Sequence, residues 1–285
     1  MNFKSPPSRR ISSPVGGGGP CAAWWRGFAG GTWAIAHPLQ PPSGGPPPPT
    51  GEERGSLFAG IRLTLALGIA LFATPALAAD NTLTPAEKQA GWTLLFDGKT
   101  THGWRGFKQA TIGPGWNVRD GVLFPDPKVA KDIVTQADYA SFDLTFDWRI
   151  SAKGNSGVMF HVIPVGDETY ESGPEFQLLD NARGEPPLEQ AGGLFALVAP
   201  SMDMTQPVGA WNTARLLVDH GHVQHWLNGM LVAQYEIGSP DFTARVAASK
   251  FKQWPQFATG TTGGIALQNH GNDVAFRNLK IRVLK

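Results

Sequence analysis

"SFDLTFDWRI", residues 141–150, decides the fold. Phe142, Leu144, Phe146, Trp148 and Ile150 fall on one face of an extended segment, and Asp143, Thr145, Asp147 and Arg149 on the other. That is the period-two alternation of a half-buried β-strand. Working outward, the pattern recurs. "SGVMFHVIP" (156–164) follows the turn "SAKGN" and sets Met159 and His161 opposite Val158, Phe160 and Val162. "PEFQLLD" (174–180) carries Glu175, Gln177 and Leu179 on one face. "ARLLVDHGHVQHWLNGMLVAQYEI" (214–237) reads as three strands joined by a His-Gly turn and by Asn228-Gly229, the strongest short hairpin signal in the chain. Two more strands flank the Gly-Asn-Asp turn of "GGIALQNHGNDVAFRNLKIRVLK" (263–285). Helical periodicity is confined to "TPAEKQAGW" (84–92), a short helix capped by Thr84 with Pro85 in its first turn and Glu87 three places after the cap. Strands oily on one face and polar on the other predict an all-β domain of two stacked antiparallel sheets.

The first quarter of the chain has a different character. Residues 1–53 hold Pro and Gly runs ("SPVGGGGP", "PPSGGPPPPT") without apolar periodicity, a disordered leader. Residues 54–78 place Arg54 and Arg62 before an apolar run from Leu63 to Ala73, then Pro75 and Ala76-Leu77-Ala78. That order is the one of a secretory signal peptide, and the apolar run is well short of the roughly 20 residues a membrane span needs. The expectation is cleavage near Ala78, export to the periplasm or medium, and no stable membrane anchor afterwards. A signal starting after 50 residues also suggests translation from near Leu57 at a non-AUG codon, which N-terminal sequencing of the precursor checks. The mature domain, 79–285, has 207 residues, ample for one sandwich. The lone cysteine, Cys21, lies in the leader, so the domain has no disulfide, thiolate nucleophile or zinc–thiolate site. Without the six basic and two acidic residues of 1–78, 18 Lys+Arg face 21 Asp+Glu, a formal charge of −3. No basic patch interleaved with aromatics stands out, and nucleic acid is not an expected partner.

The polar side chains of "SGPEFQLLDN" (172–181) pose the functional question. Glu175 and Gln177 share a strand face, while Asp180 reaches that face only through a β-bulge. Jelly-roll glucanases use such a bulged strand with a carboxylate in the middle position. Here that position is the amide Gln177, which cannot raise a neighbour's pKa by like-charge repulsion. A two-carboxylate hydrolase would need Glu175 and Asp180 to flank the bond. His161 and His270 stand on or beside strands with acids and amides near them, as bases or metal ligands. Their spacing matches no metal motif, so a divalent metal stays an open expectation. Asn155, in the turn entering "SGVMF", and Gln268, on the side of His270, offer hydrogen bonds to sugar hydroxyls. Tyr170 and Trp211 are candidates for stacking on sugar rings, and Trp92, Trp104, Trp116 and Trp148 for the core. His220, His222 and His225 flank a hairpin turn and read as surface.

Seven segments in order complete the reading: "GWTLLFDGKTTHGW", "WNVRDGVL", "DIVTQADYASFDLTFDWRI", "GNSGVMFHV", "GPEFQLLDN", "VGAWNTARLLVDHGHVQHWLNG" and "GGIALQNHGNDVAFRNLKIRVL". From Gly91 to Leu284 the chain resembles the family once called DUF1080, now described as the 3-keto-glucoside 1,2-lyase/3-keto-2-hydroxy-glucal hydratase (3-keto-disaccharide hydrolase) domain. The resemblance implies a concanavalin A-like jelly roll. It implies a small oxidised glycoside as substrate, supplied by a separate sugar 3-dehydrogenase, and cleavage by elimination and hydration rather than by paired carboxylates. By this resemblance Glu175 or His161 is the base and the other assists. Gln177, Gln268 and His270 bind the sugar's 2- and 3-oxygens, and Asn155 and Asp180 match further motif positions. His161 and Asp147 depart from the family pattern, where Arg and Glu are more frequent. An ordinary glycosidase and a non-catalytic carbohydrate-binding module stay open as alternatives.

Overall fold

A computed structural model describes residues 79–285, so the expected leader (1–53) and export signal (54–78) lie outside the described residues. The segment 141–150 forms β6 (Phe142–Ile150), and β6 organises the larger sheet. It pairs on one side with β9 (Asn212–Asp219) and on the other with β13 (Val274–Val283). Beyond β9 come β10 (His222–Leu227) and β11 (Met230–Glu236), and beyond β13 come β4 (Val122–Pro125) and β3 (Trp116–Arg119). β1 (Trp92–Leu94) pairs with the far part of β13, giving eight strands. The second sheet has five, in the order β2 (Trp104–Gly106), β5 (Ile133–Thr135), β12 (Gly264–Leu267), β7 (Asn155–Val162) and β8 (Glu175–Leu179). Every pairing is antiparallel. The fold is the all-β jelly-roll sandwich of two antiparallel sheets, with two short helices, α1 (Pro85–Gln89) and α2 (Pro240–Ala248). α1 carries the expected capping box: Thr84 Oγ1 accepts from Glu87 N at 3.2 Å and Glu87 Oε2 accepts from Thr84 N at 2.7 Å.

Alternation decides which side chains meet between the sheets. The five apolar residues of β6 pack against Val158, Phe160, Phe176, Leu178, Ile265 and Leu267 of the facing sheet in one continuous core. Trp104, Trp116 and Trp148 join it as expected. Trp92 does not; it lies on the outer face with the Arg282 guanidinium 5.3 Å from its ring centroid. That outer face of the eight-stranded sheet is an ion-paired surface. Asp143, only 2% exposed, accepts a two-pronged bond from Arg215 (2.6 and 3.0 Å) and a third from Arg282 (3.0 Å). Asp147 accepts from Thr213, Arg277 and Asn278. Trp211 is stacked by Arg149 and Arg277, at 4.8 and 4.3 Å, so the ring proposed for sugar stacking is occupied by the protein's own guanidinium groups.

Two strand irregularities shape the five-stranded sheet. In β7, Phe160 and His161 stand opposite Ile265 of β12, a bulge with His161 at φ 52°. The bulge turns His161 inward, so Phe160 and His161 both face the core while Met159 and Val162 face out. β8, by contrast, pairs with β7 in unbroken register from Met159↔Glu175 to Asn155↔Leu179. The bulge expected between Gln177 and Asp180 is absent, and Asp180 lies past the strand end.

Candidate functional site

The outer face of the five-stranded sheet carries the candidate active site. Register places Glu175, Met159, Ala266 and Val134 in one cross-strand row. The next row holds Gln177 on β8 and Gly157 on β7, then Gln268, whose N–H donates to Gly157 O at 3.0 Å, then Asp132 at the entry to β5. Gly157 is the hinge of this arrangement. The Glu175 side chain leans over it, and an added Cβ there would stand 2.6 Å from Glu175 Cδ and closer still to Oε1. The glycine of "NSG" thus leaves the space that the carboxyl fills, a steric reason for its place in the sequence.

Glu175 is buried at 5% exposure and its carboxyl oxygens make no hydrogen bond within the described residues. Burial pushes its pKa up to about 8; Lys250 draws it down and Asp132 adds to the rise. Beside it, Gln177 donates from Nε2 to Glu189 O at 3.1 Å, and the Oε1 atoms of Gln177 and Gln268 are buried without partners among the described residues. Asn155, two residues before Gly157 on the same strand side, likewise has an unpartnered Oδ1. Tyr170 packs on the outward cluster of Val134, Met159, Val162 and Ala266 and meets Trp254 edge-on at 5.4 Å. Glu175, Gln177, Gln268, Asn155 and Tyr170 are therefore brought to one face.

Three other expected site residues are placed differently. His161 Nε2 lies 2.7 Å from Ala140 O and its ring sits edge-on to Phe142 and Phe160, on the side of the sheet away from Glu175. Burial lowers its pKa, and the bulge is the physical reason it leaves the Met159 side. Asp180 caps the 3-10 turn Asn181–Arg183, with Oδ1 accepting from Ala182 N (3.1 Å) and Oδ2 from Lys153 N (2.7 Å). At about 3.3 Å per strand residue, its backbone stands roughly 17 Å from that of Glu175. Paired glycosidase carboxyls lie within about 10 Å of each other. Asp180 instead borders a cleft of about 350 Å³ at the sandwich end, with Trp148, Leu179, Asn181, Asp203 and Asn212. His270 is exposed on the loop after β12. Among the described residues no three His, Cys, Asp or Glu side chains cluster in a way that could hold a metal ion.

Sequence reasoning missed four contributors. Asp132 shares the outward side with Val134, accepts from the Thr169 hydroxyl and, at 3.0 Å, from Asn269 N, and is pushed up by burial. Lys250 is exposed at the rim, its ammonium 4.2 Å from the Phe195 ring centroid, and Phe195 N donates to Glu175 O at 3.1 Å. Trp254 faces Tyr170. His225, expected at the surface with His220 and His222, is fully buried. Its Nδ1 lies 3.0 Å from Gly192 O, its Nε2 3.0 Å from Tyr235 Oη, and its ring stacks on Phe176 at 4.5 Å. Gly192 N donates to Gln177 O and Gln177 N to Gly193 O, so His225 braces the segment that pairs with β8. Its alternation with Val223 and Leu227, both buried, was the available signal.

A jelly roll with a desolvated carboxyl, unpartnered amides and an aromatic pair on one sheet face has the makings of a carbohydrate-active enzyme. Residues 91–282 match the 3-keto-alpha-glucoside-1,2-lyase-like domain, and the chain belongs to that family. It is 29% identical over 228 residues to the 3-keto-disaccharide hydrolase of Bacteroides thetaiotaomicron, covering 68% of this chain and 79% of that protein. A crystal structure from Parabacteroides distasonis, of a protein described as a candidate glycosyl hydrolase, superposes with TM-score 0.68 at 36% identity. The match covers 73% of this chain and all of that one. A second structure from the same organism, at TM-score 0.54 and 24% identity over 68% of this chain and 99% of that one, shares the fold.

Proposed function

We propose that this enzyme cleaves 3-keto-glycosides by β-elimination across C1–C2 and hydrates the resulting 3-keto-2-hydroxy-glucal, so that the net reaction is hydrolysis. The observation carrying this reading is the Glu175 carboxyl: buried, unpartnered, seated over Gly157, with its proton affinity raised to about 8. A ketone at C3 acidifies the C2 hydrogen, and a desolvated carboxylate is a stronger base than a solvated one. Glu175 takes that proton. The free Oε1 atoms of Gln177 and Gln268 accept from sugar hydroxyls, and the Lys250 ammonium at the rim favours negative charge developing on the C3 oxygen. The family match and the named activity of the Bacteroides relative support the same chemistry. Substrate comes from a sugar 3-dehydrogenase, and the pattern of residues 54–78 supports an exported enzyme.

The test uses protein beginning at Ala79, an aryl glucoside and its 3-keto derivative, each with and without chelator, followed by aryl absorbance. Release from the keto substrate alone is expected. Release from the plain glucoside overturns the elimination reading. Binding without release from either substrate makes the domain a sugar-binding module. Chelator sensitivity would add a metal that the residue set does not specify.

A further inference from the structure

Elimination needs a proton donor for the departing C1 oxygen as well as a base for C2, and hydration needs the same two groups in reverse. Asp180 and His161, the obvious partners from sequence, are placed elsewhere. The site face holds a second carboxyl. Asp132 lies two strand spacings from Gly157, roughly 10 Å between backbones, with the Gln268 strand between them. The Glu175 carboxyl lies over Gly157, so the two acids share one sheet face with a single intervening strand between their rows.

Resting on the elimination reading, we propose that Asp132 is the second catalytic carboxyl, the acid for the departing oxygen and the base for the incoming water. In the first half-reaction Glu175 takes the C2 proton and the C2–H electrons form the enolate. The enolate then reforms the C3 carbonyl, C1=C2 forms, and the C1–O bond breaks as that oxygen takes the Asp132 proton. In the second, water adds to C1 and gives its proton to the Asp132 carboxylate, while protonated Glu175 returns a proton to C2. Both carboxyls end as they began, and no oxidant or further reactant is consumed.

The surroundings suit this cycle. Burial raises the proton affinity of both carboxyls; Lys250 favours the carboxylate form of Glu175 and Glu168 the protonated form of Asp132, the distribution needed first. The Thr169 hydroxyl and the Asn269 N–H stabilise the carboxylate left afterwards, with Lys131 contributing in the same sense. Glu175 and Tyr170 are the other titratable groups within its electrostatic reach. Thr169 also ties Asp132 to Tyr170, its neighbour in the 3-10 turn Thr169–Glu171, which with Trp254 borders the same sheet face.

The experiment is a leaving-group series on Asp132→Asn, with 3-keto-glucosides of a dinitrophenol, a plain phenol and an alkanol. Acid catalysis matters little for the first and most for the last. The expected kcat/KM is within about threefold of wild type on the dinitrophenyl substrate and down at least about 100-fold on the alkyl one. Exchange of the C2 hydrogen into D2O should survive in this variant and vanish in Glu175→Gln. An equal proportional loss along the whole series assigns Asp132 to structure and overturns the proposal. If Asp132→Asn does not fold by circular dichroism, Asp132→Glu is run through the series, and a dependence parallel to wild type overturns it. A wild type silent on every keto-glycoside defeats the elimination reading itself, whereas an active wild type with a flat Asp132 series defeats only this assignment.

Discussion

Replacing Glu175 with Gln should stabilise the protein while abolishing catalysis, and the gain should depend on pH. The Glu175 pKa stands at about 8 in the folded protein against 4.5 for an ordinary glutamate. The folded-state pKa is the higher one, so the folded state binds this proton more tightly. Stability is full below about pH 4.5, falls as pH rises toward 8, and stays at the reduced level above that. A span of about 3.5 pH units at ~1.36 kcal/mol each gives an upper bound of about 5 kcal/mol. Water entry brings the expected penalty to roughly 2–5 kcal/mol. Gln keeps the shape and has no charge to bury. Denaturant unfolding of both proteins at pH 5 and pH 9 isolates the effect, because other titrations are shared. The difference should be below about 1 kcal/mol at pH 5 and reach roughly 2–5 kcal/mol in favour of the variant at pH 9, or about 5–15 °C in Tm. A difference independent of pH, or a variant less stable at pH 9, would refute the desolvated carboxyl.

Other outcomes follow from the same geometry. Gly157→Ala drives a methyl group into Glu175, so it should cost about 1–3 kcal/mol and most activity, and Gly157→Ala/Glu175→Ala should regain stability but not turnover in thermal melts and assays. His225 is held neutral, its pKa lowered by burial to about 4 from 6.5, so wild-type stability should drop by up to about 3 kcal/mol as pH falls from 6.5 to 4, a loss absent in His225→Gln acid titrations. With Glu175 as base, kcat/KM on the 3-keto dinitrophenyl glucoside, whose departure needs little acid, should rise with pH toward a plateau with its midpoint near 8, and a profile falling through 8 would make Glu175 the acid instead. Asp143→Ala should cost about 1–3 kcal/mol in urea melts, since it removes three charge-assisted hydrogen bonds while Arg215 and Arg282, each about a third exposed, turn to solvent.

The architecture was legible because alternation is a local property. Each strand of 141–150, 214–237 and 263–285 states its buried face in its own residues, and Asn228-Gly229 states its hairpin. Alternation also carried Glu175 and Gln177 to one face. It failed at His161, because a bulge is set by the partner strand: Ile265 stands opposite two residues, and a positive φ turns the imidazole inward. It failed at Asp180 for the opposite reason, since a bulge was needed there and β8 runs straight until the turn begins. Asp132 and Lys250 lie 43 residues before and 75 residues after Glu175 in the chain, and nothing local to either marks it as a neighbour of that carboxyl. His225 carried a readable signal, a histidine in register with Val223 and Leu227, which the turn residues beside it obscured.

Washout of the C2 hydrogen tests the central claim most directly. A 3-keto-glucoside deuterated at C2 is incubated with enzyme in ordinary water, and substrate and products are followed by NMR and mass spectrometry. The account predicts loss of deuterium from C2 during cleavage, a rate slower than for the undeuterated sugar, and no washout with Glu175→Gln. Cleavage as fast as that of the undeuterated sugar, with deuterium fully on C2, would contradict it, since elimination must break the C2–D bond even where Glu175 hands the same deuteron back.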